Sequence, residues 1–263
     1  MKMLICIPCC GQYEIGRISL YCFDQLVSKE TDFLLIDNTP GGDIEKSIWY
    51  QWKYRYEMDR WQICFNSGNI GLVKSCQLAY DFAIAGGYDI LCLTHNDVWI
   101  YKLNWDYHIK LAFEQIDKLG GVGLFGSKGC GKEGHRLDTF GSLIEMSGHG
   151  RKIDKAWEPA TTFDGFFMAF SMQMLKEAGG FDQQYQMHHM YDLDASLTSI
   201  SLGYKNIVMN LPCHHLSGLT ANNDAKATSG PDIHAANSQL FLRKWSDKLG
   251  VTVDEDFNYR WHL

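Results

Sequence analysis

Short apolar runs that stop abruptly at polar residues punctuate the first half of the chain. Residues 4–7 (LICI), 33–36 (FLLI), 61–65 (WQICF) and 90–93 (ILCL) have the length of strands, and an unbroken apolar run suits a strand buried on both faces. Between them, residues 13–27 repeat Ile15, Ile18, Tyr21, Cys22 and Leu26 at helical spacing, and residues 72–85 put Leu72, Cys76, Ala79, Tyr80 and Ala83 on one stripe. Strands alternating with amphipathic helices predict an α/β fold on a mostly parallel sheet.

Further along, residues 104–119 read as an amphipathic helix and 121–125 as a strand of small residues. Residues 163–170 form a strand entered through Asp164-Gly165, and 173–178 a short helix stopped by Gly179-Gly180. A helix headed by a polar cluster at 188–194 runs to about Leu202, residues 207–209 make a strand, and residues 235–249 close the chain as a helix burying Leu240, Phe241, Trp245 and Leu249. Two stretches fit less simply. Trp49, Tyr50, Trp52, Tyr54 and Tyr56 give residues 43–60 an aromatic density that reads as packing. Residues 126–159, rich in glycine, read as one long irregular loop on the acceptor side of a site, since such a loop inside a compact domain is usually functional.

The polar ends of the apolar runs carry the candidate chemistry. Ligands of open α/β sheets collect beyond the carboxyl ends of the strands, so His95-Asn96-Asp97, directly after the run at 90–93, reads as the floor of an active site. Asp37, at the end of another run, is either a carboxylate for a ribose or base or an ordinary turn former. Asn66-Ser67-Gly68-Asn69-Ile70-Gly71 leads into a helix whose N-terminus could face a diphosphate, although its spacing matches neither common phosphate-binding glycine motif. Asp192 and Asp194 sit in a first helical turn, where capping also favours acids, with His188 and His189 beside them.

The 263 residues, 46% hydrophobic, suffice for a large core and suggest one domain at 1–220 with an extension at 221–263 packed on it. A net charge of -7 without a basic block disfavours a nucleic-acid partner but is compatible with a small anion held through a metal. The first eight residues are too short for a signal peptide and no run is long enough to span a bilayer, so a cytoplasmic protein, at most peripheral to a membrane, is expected. Nine cysteines lie mostly within apolar runs, and the pair Cys6 and Cys9 has no partner pair at zinc-site spacing, which reads as reduced core thiols.

In this order the motifs resemble those of the inverting glycosyltransferases of family 2, over residues 4–245. Residues 5–11 look like that family's first strand and turn, and Ile36-Asp37-Asn38 resembles its nucleoside-binding segment. Residues 66–71 are similar to its Asn/Gly turn, residues 93–98 to its metal-binding region, Asp164-Gly165 to its acceptor-side strand, residues 179–182 with 191–194 to the segment of its catalytic base, and residues 214–220 to its late metal-binding histidine. The resemblance implies a GT-A-type, Rossmann-like mixed sheet, mostly parallel and flanked by helices, with a C-terminal helical appendage. It further implies Asp192 as general base and a nucleotide sugar held by Pro8, Asp37, Asn38, Asn66, Gly68, Asn69, Gly71, Asn96, Asp164 and Gly165. The metal ligands would come from Asp97, His95 and one of His214 and His215, a mixed N/O set that favours Mn²⁺ over Mg²⁺. The partners would be a nucleoside diphosphate sugar and a glycan or other hydroxyl acceptor. His95 stands where the family has a first carboxylate, Tyr191 where an acid precedes the base, and Thr198 where an arginine is common. Those departures keep two other expectations open: a GT-A-like protein that binds glycan or nucleotide without turnover, and a nucleotidyltransferase.

Overall fold

The structure is a computed structural model that describes residues 1–39, 58–145, 150–216 and 231–261; the aromatic residues Trp49 to Tyr56 fall outside these. The chain opens with β1 (Met3–Cys9), α1 (Tyr13–Leu26), β2 (Asp32–Asp37), β3 (Trp61–Phe65), α2 (Gly71–Ala85), β4 (Ile90–Thr94), β5 (Val98–Ile100), α3 (Trp105–Gln115) and β6 (Leu119–Gly123). The runs that form β1, β2 and β4 are covered on both faces, whereas β3 is an edge strand with Gln62 and Phe65 exposed. Leu4, Cys6, Leu34, Ile36, Leu91 and Leu93 join the core on the side of α2, while Met3, Ile5, Ile7, Phe33, Leu35, Ile90 and Cys92 join the core on the side of α1 and α3. The third helix ends earlier than its pattern suggests: Ile116 takes an extended conformation (φ -98°, ψ 109°), and Lys118 at φ 55° then turns the chain into β6 at Leu119.

The region expected to be a long loop is largely sheet. It holds β7 (Phe125–Cys130), β8 (Arg136–Gly141), β9 (Arg151–Lys152) and β10 (Trp157–Pro159), followed by β11 (Thr162–Phe163) and β12 (Phe167–Ser171). Then come α4 (Met172–Ala178), α5 (Tyr191–Ser201), β13 (Lys205–Met209), β14 (Cys213–His215), α6 (Pro231–Trp245), β15 (Val251–Val253) and β16 (Tyr259–Trp261). Strands 10, 13, 6, 12, 4, 1, 2 and 3 lie side by side in the main sheet, parallel from β4 through β3 and with β12 antiparallel to both of its neighbours. A second sheet runs β16-β15-β7-β8-β9, with β11 against β7. The end of the chain therefore adds two strands to this sheet as well as a helix, so the appendage is not purely helical.

Glycine explains how β6 is built. A Cβ on Gly121 or Gly123 would come within 2.6 Å of the Phe163 ring, so the bare backbone of LGGVG is what lets that ring lie flat on the sheet. Phe163 immediately precedes Asp164-Gly165, and the close approach thus sets where that pair enters the cleft. The chain leaves β1 toward β2 and β3 on one side and later returns to β4 on the other, which makes the carboxyl ends of β1 and β4 the switch point where such sheets bind ligands.

Candidate active site

The turn after β4 and the short strands beyond it assemble residues distant in sequence. His95 N donates to Phe166 O at 2.9 Å, which holds the turn against β12. β5 then pairs antiparallel with β14, His215 opposite Val98 and His214 opposite Trp99. Adjacent residues of a strand face opposite ways, so only one histidine can face the turn. His215 does: its Nε2 lies 3.4 Å from Asp97 Oδ1, and His95 Nδ1 lies 4.0 Å from the same oxygen. One donor atom from each of His95, Asp97 and His215 lies within 4.8 Å of the other two. His214 is left out of the cluster, its Nδ1 2.9 Å from the Tyr101 hydroxyl and its ring edge-on to Trp99 and Tyr101.

These three residues fit a divalent cation. Asp97 Oδ1 and His95 Nε2 are buried and have no hydrogen-bond partner among the described residues. Burial, and then the neighbouring His215, hold His95 below the ordinary imidazole pKa, in the neutral form that coordinates metals. A buried carboxylate oxygen without a donor, beside two imidazoles, leaves a desolvation cost that a bound cation would offset. Phe166 stacks on the His215 ring at 4.6 Å and fixes its plane.

The cluster opens into a cleft of about 490 Å³. Of the sequence-derived candidates, Pro8, Asn38, Asn69, Gly71, His95, Asn96, Asp97, Asp164, Gly165, Asp192 and His215 line it. Asn96 Nδ2 is a buried donor without an acceptor among the described residues. Asp192 sits in the first turn of α5 and receives Gly165 N at 3.1 Å and Arg136 Nη2 at 2.5 Å, both on Oδ2. Asp37, Asn66 and Gly68 do not line the cleft. Asp37 Oδ1 accepts from the Thr39 amide at 2.9 Å and hydroxyl at 2.6 Å, the side-chain turn that Asp-Asn sequences favour. Asn66 Nδ2 donates to Asn38 Oδ1 at 2.7 Å and so orients the asparagine that does reach the cleft. The N-terminus of α2 is also less free than its sequence suggests, because Gly71 N is taken by Asn69 Oδ1 and Val73 N by Met187 O.

No protein-family model and no curated protein matches the sequence. Solved structures do match in three dimensions. GalNAc-T7, crystallised with UDP, GalNAc and Mn²⁺, superposes with a TM-score of 0.66 at 10% identity over 82% of this chain. The mannosyltransferase PcManGT from Pyrobaculum calidifontis, in complex with GDP-Man and Mn²⁺, gives 0.59 at 12% identity over 92%. TarS from S. aureus in complex with UDP-GlcNAc gives 0.60 at 12% identity over 92%. The fold is GT-A. The chain spans 44% of the length of GalNAc-T7, 69% of PcManGT and 65% of TarS.

On this GT-A frame the cleft has walls that sequence reasoning did not assign. Arg136 reaches it from β8, and a strap at 186–190 lines it with Met187, His188, His189 and Met190, joined by His234 of α6. Met187, His189 and Met190 have φ of 49°, 72° and 65°, a left-handed conformation costing roughly 1–2 kcal/mol per residue. Two features hold the strap there. Gly71, itself at φ 81°, leaves room for it, since a Cβ would stand 2.6 Å from Met187 Cα. Asn237 of α6, 1% exposed, accepts from Gln186 N at 3.0 Å and donates to Gln186 O at 2.8 Å and His188 O at 2.7 Å. Asn237→Ala leaves these strap groups unpaired, and urea unfolding is expected to show a loss of about 1–3 kcal/mol. An unchanged midpoint would mean that α6 does not hold the strap.

The strap also makes stability pH-dependent. Burial first, and then His189, His95 and His234, push the His188 pKa down to about 4. As pH falls from 6.5 the unfolded chain takes up a proton at this histidine that the folded chain refuses until about pH 4, so stability falls across that window. His188→Gln is expected to flatten the fall, read from urea midpoints measured between pH 7 and pH 4, roughly the span of the shift.

Proposed function

We propose that this GT-A protein is a metal-dependent inverting glycosyltransferase, which moves a sugar from a nucleoside diphosphate sugar to an acceptor hydroxyl. The observation that carries the reading is one cleft at the switch point that joins the cluster of His95, Asp97 and His215 to a carboxylate, Asp192. The solved relatives bind UDP, GDP-Man and UDP-GlcNAc, which supports a nucleotide sugar as donor. The mixed N/O donor set supports Mn²⁺ over Mg²⁺. When bound, the ion supplies positive charge that neutralises the departing diphosphate.

The chain's own residues account for the rest. Asn96 Nδ2, without an acceptor among the described residues, would donate to an oxygen of the donor. Pro8, Asn38 and Asn69 wall the end of the cleft beyond β1 and β2, where a nucleoside fits. Asp192 accepts the acceptor's hydroxyl proton while the acceptor oxygen bonds to the anomeric carbon and the bond from that carbon to the diphosphate oxygen breaks. Attack opposite the leaving group inverts the anomeric configuration.

The test is to incubate the protein with UDP-, GDP- and TDP-sugars, Mn²⁺ and a panel of glycan acceptors. Released nucleoside diphosphate is quantified and the product's anomeric signal read by NMR. Mn²⁺-dependent release with an inverted product is expected. Release of pyrophosphate instead identifies a nucleotidyltransferase, and tight nucleotide binding without turnover identifies a binding protein.

A further inference from the structure

We infer that Arg136 is the residue that positions the Asp192 carboxylate for its role as base, an inference that rests on the transferase reading above. The guanidinium reaches Asp192 of α5 from β8 of the second sheet, and a closed ring of bonds holds the two together. Arg136 Nη2 donates to Asp192 Oδ2 and to Phe163 O, both at 2.5 Å. Phe163 N donates to Ser196 Oγ at 3.1 Å, and Ser196 Oγ donates back to Asp192 O at 2.6 Å. The strand leading to Asp164-Gly165, the helix carrying Asp192 and the strand carrying Arg136 are thereby locked to one another.

The distribution of bonds over the carboxylate gives the ring its function. Arg136 and Gly165 N both bond to Oδ2, which fixes the carboxylate plane and leaves Oδ1 as the oxygen for an acceptor hydroxyl. A general base works only within hydrogen-bond reach of its proton, and a third group that orients it is a recurrent requirement of such sites. Arg136 suits the task because it is permanently charged and its bonds to carboxylates are charge-assisted. Burial alone would lower its pKa, yet the Asp192 and Asp164 carboxylates raise it above the ordinary guanidinium value. Its backbone is equally fixed: Arg136 stands opposite Cys130 in the β7–β8 pair, and Gly131 N donates to His135 O at 2.8 Å to close the turn between them.

The experiment compares Arg136→Lys, Arg136→Gln and Arg136→Ala with wild type in the full chain, using a donor the wild type turns over. Arg136→Gln is expected to lower kcat by about 10- to 100-fold, part of what a general base supplies, with donor KM changed by less than about threefold. Lys should recover part of the loss, and added guanidinium should partly rescue the Ala variant. Combined with Asp192→Asn, Arg136→Gln should slow the enzyme no further, because the two groups act as one unit. Wild-type kcat in Arg136→Gln, or a loss that adds to that of Asp192→Asn, overturns the inference alone. Asp192→Asn at full activity removes the base instead, and a wild type that transfers no sugar removes the parent reading. Should Gln fail to fold, as shown by lost nucleotide binding, the Lys variant and guanidinium rescue of Ala decide: no recovery in either overturns it.

Discussion

Asp192→Asn is expected to lower glycosyl transfer by about 10²- to 10⁴-fold while leaving Mn²⁺-dependent binding of a nucleoside diphosphate unchanged. The substitution is nearly isosteric, and the amide oxygen can still accept from Gly165 N and Arg136, so the first turn of α5 keeps its geometry. What disappears is a site for the acceptor's proton. Transfer assays with saturating donor, set beside calorimetric titration of the nucleotide, separate chemistry from binding. Undiminished transfer would shift the role of base to another carboxylate of the cleft, and Asp164 is the one outside the metal cluster among the described residues that line it.

The second large effect concerns the cation. Asp97→Ala is expected to abolish Mn²⁺-dependent nucleotide binding, and His215→Ala to weaken Mn²⁺ by more than the roughly 10- to 100-fold that loss of an outer partner of a ligand costs. His214→Ala should leave Mn²⁺ affinity near wild type, because that ring packs against Tyr101 and Trp99, away from Asp97. Titration of Mn²⁺ followed by electron paramagnetic resonance reads all three. Strong weakening in His214→Ala with none in His215→Ala would mean that the register of β14 against β5 differs from the one seen.

Some of this molecule can be read directly from its residues. The parallel half of the main sheet was legible because β1, β2 and β4 are covered on both sides, and double burial leaves an unbroken apolar run. His95-Asn96-Asp97 were legible for a related reason, since polar residues that follow a buried run mark the edge where ligands bind, whereas Asp192 stood out as an acid heading a helix beside two histidines; all four line the cleft. The second sheet was not legible. β7 reads FGSKGC and β8 reads RLDTFG, with neither the alternation nor the β-branched content of a typical strand, and β7 takes its pairing from β8, β11 and β15, the last of them more than a hundred residues on. Arg136 was lost in the same region, as a basic residue in an apparent loop.

Asp37 shows how a local partner competes with the signal of a strand end. Its place at the end of a strand suits a ligand contact, but the Thr39 amide and hydroxyl were available two residues away, and a local partner captures a carboxylate without any ligand. Sequence alone determined the α/β class, the carboxyl edge as the place of the candidate site and several of the side chains that line its cleft, because burial and strand ends leave a local pattern in the residues. Only the tertiary structure decided that His215 rather than His214 faces Asp97, that Arg136 holds Asp192 and that Asn237 pins the strap. Each of these depends on strand register or on contacts between distant segments, and a change of one residue in register reverses which side chain faces the site while leaving the local pattern intact.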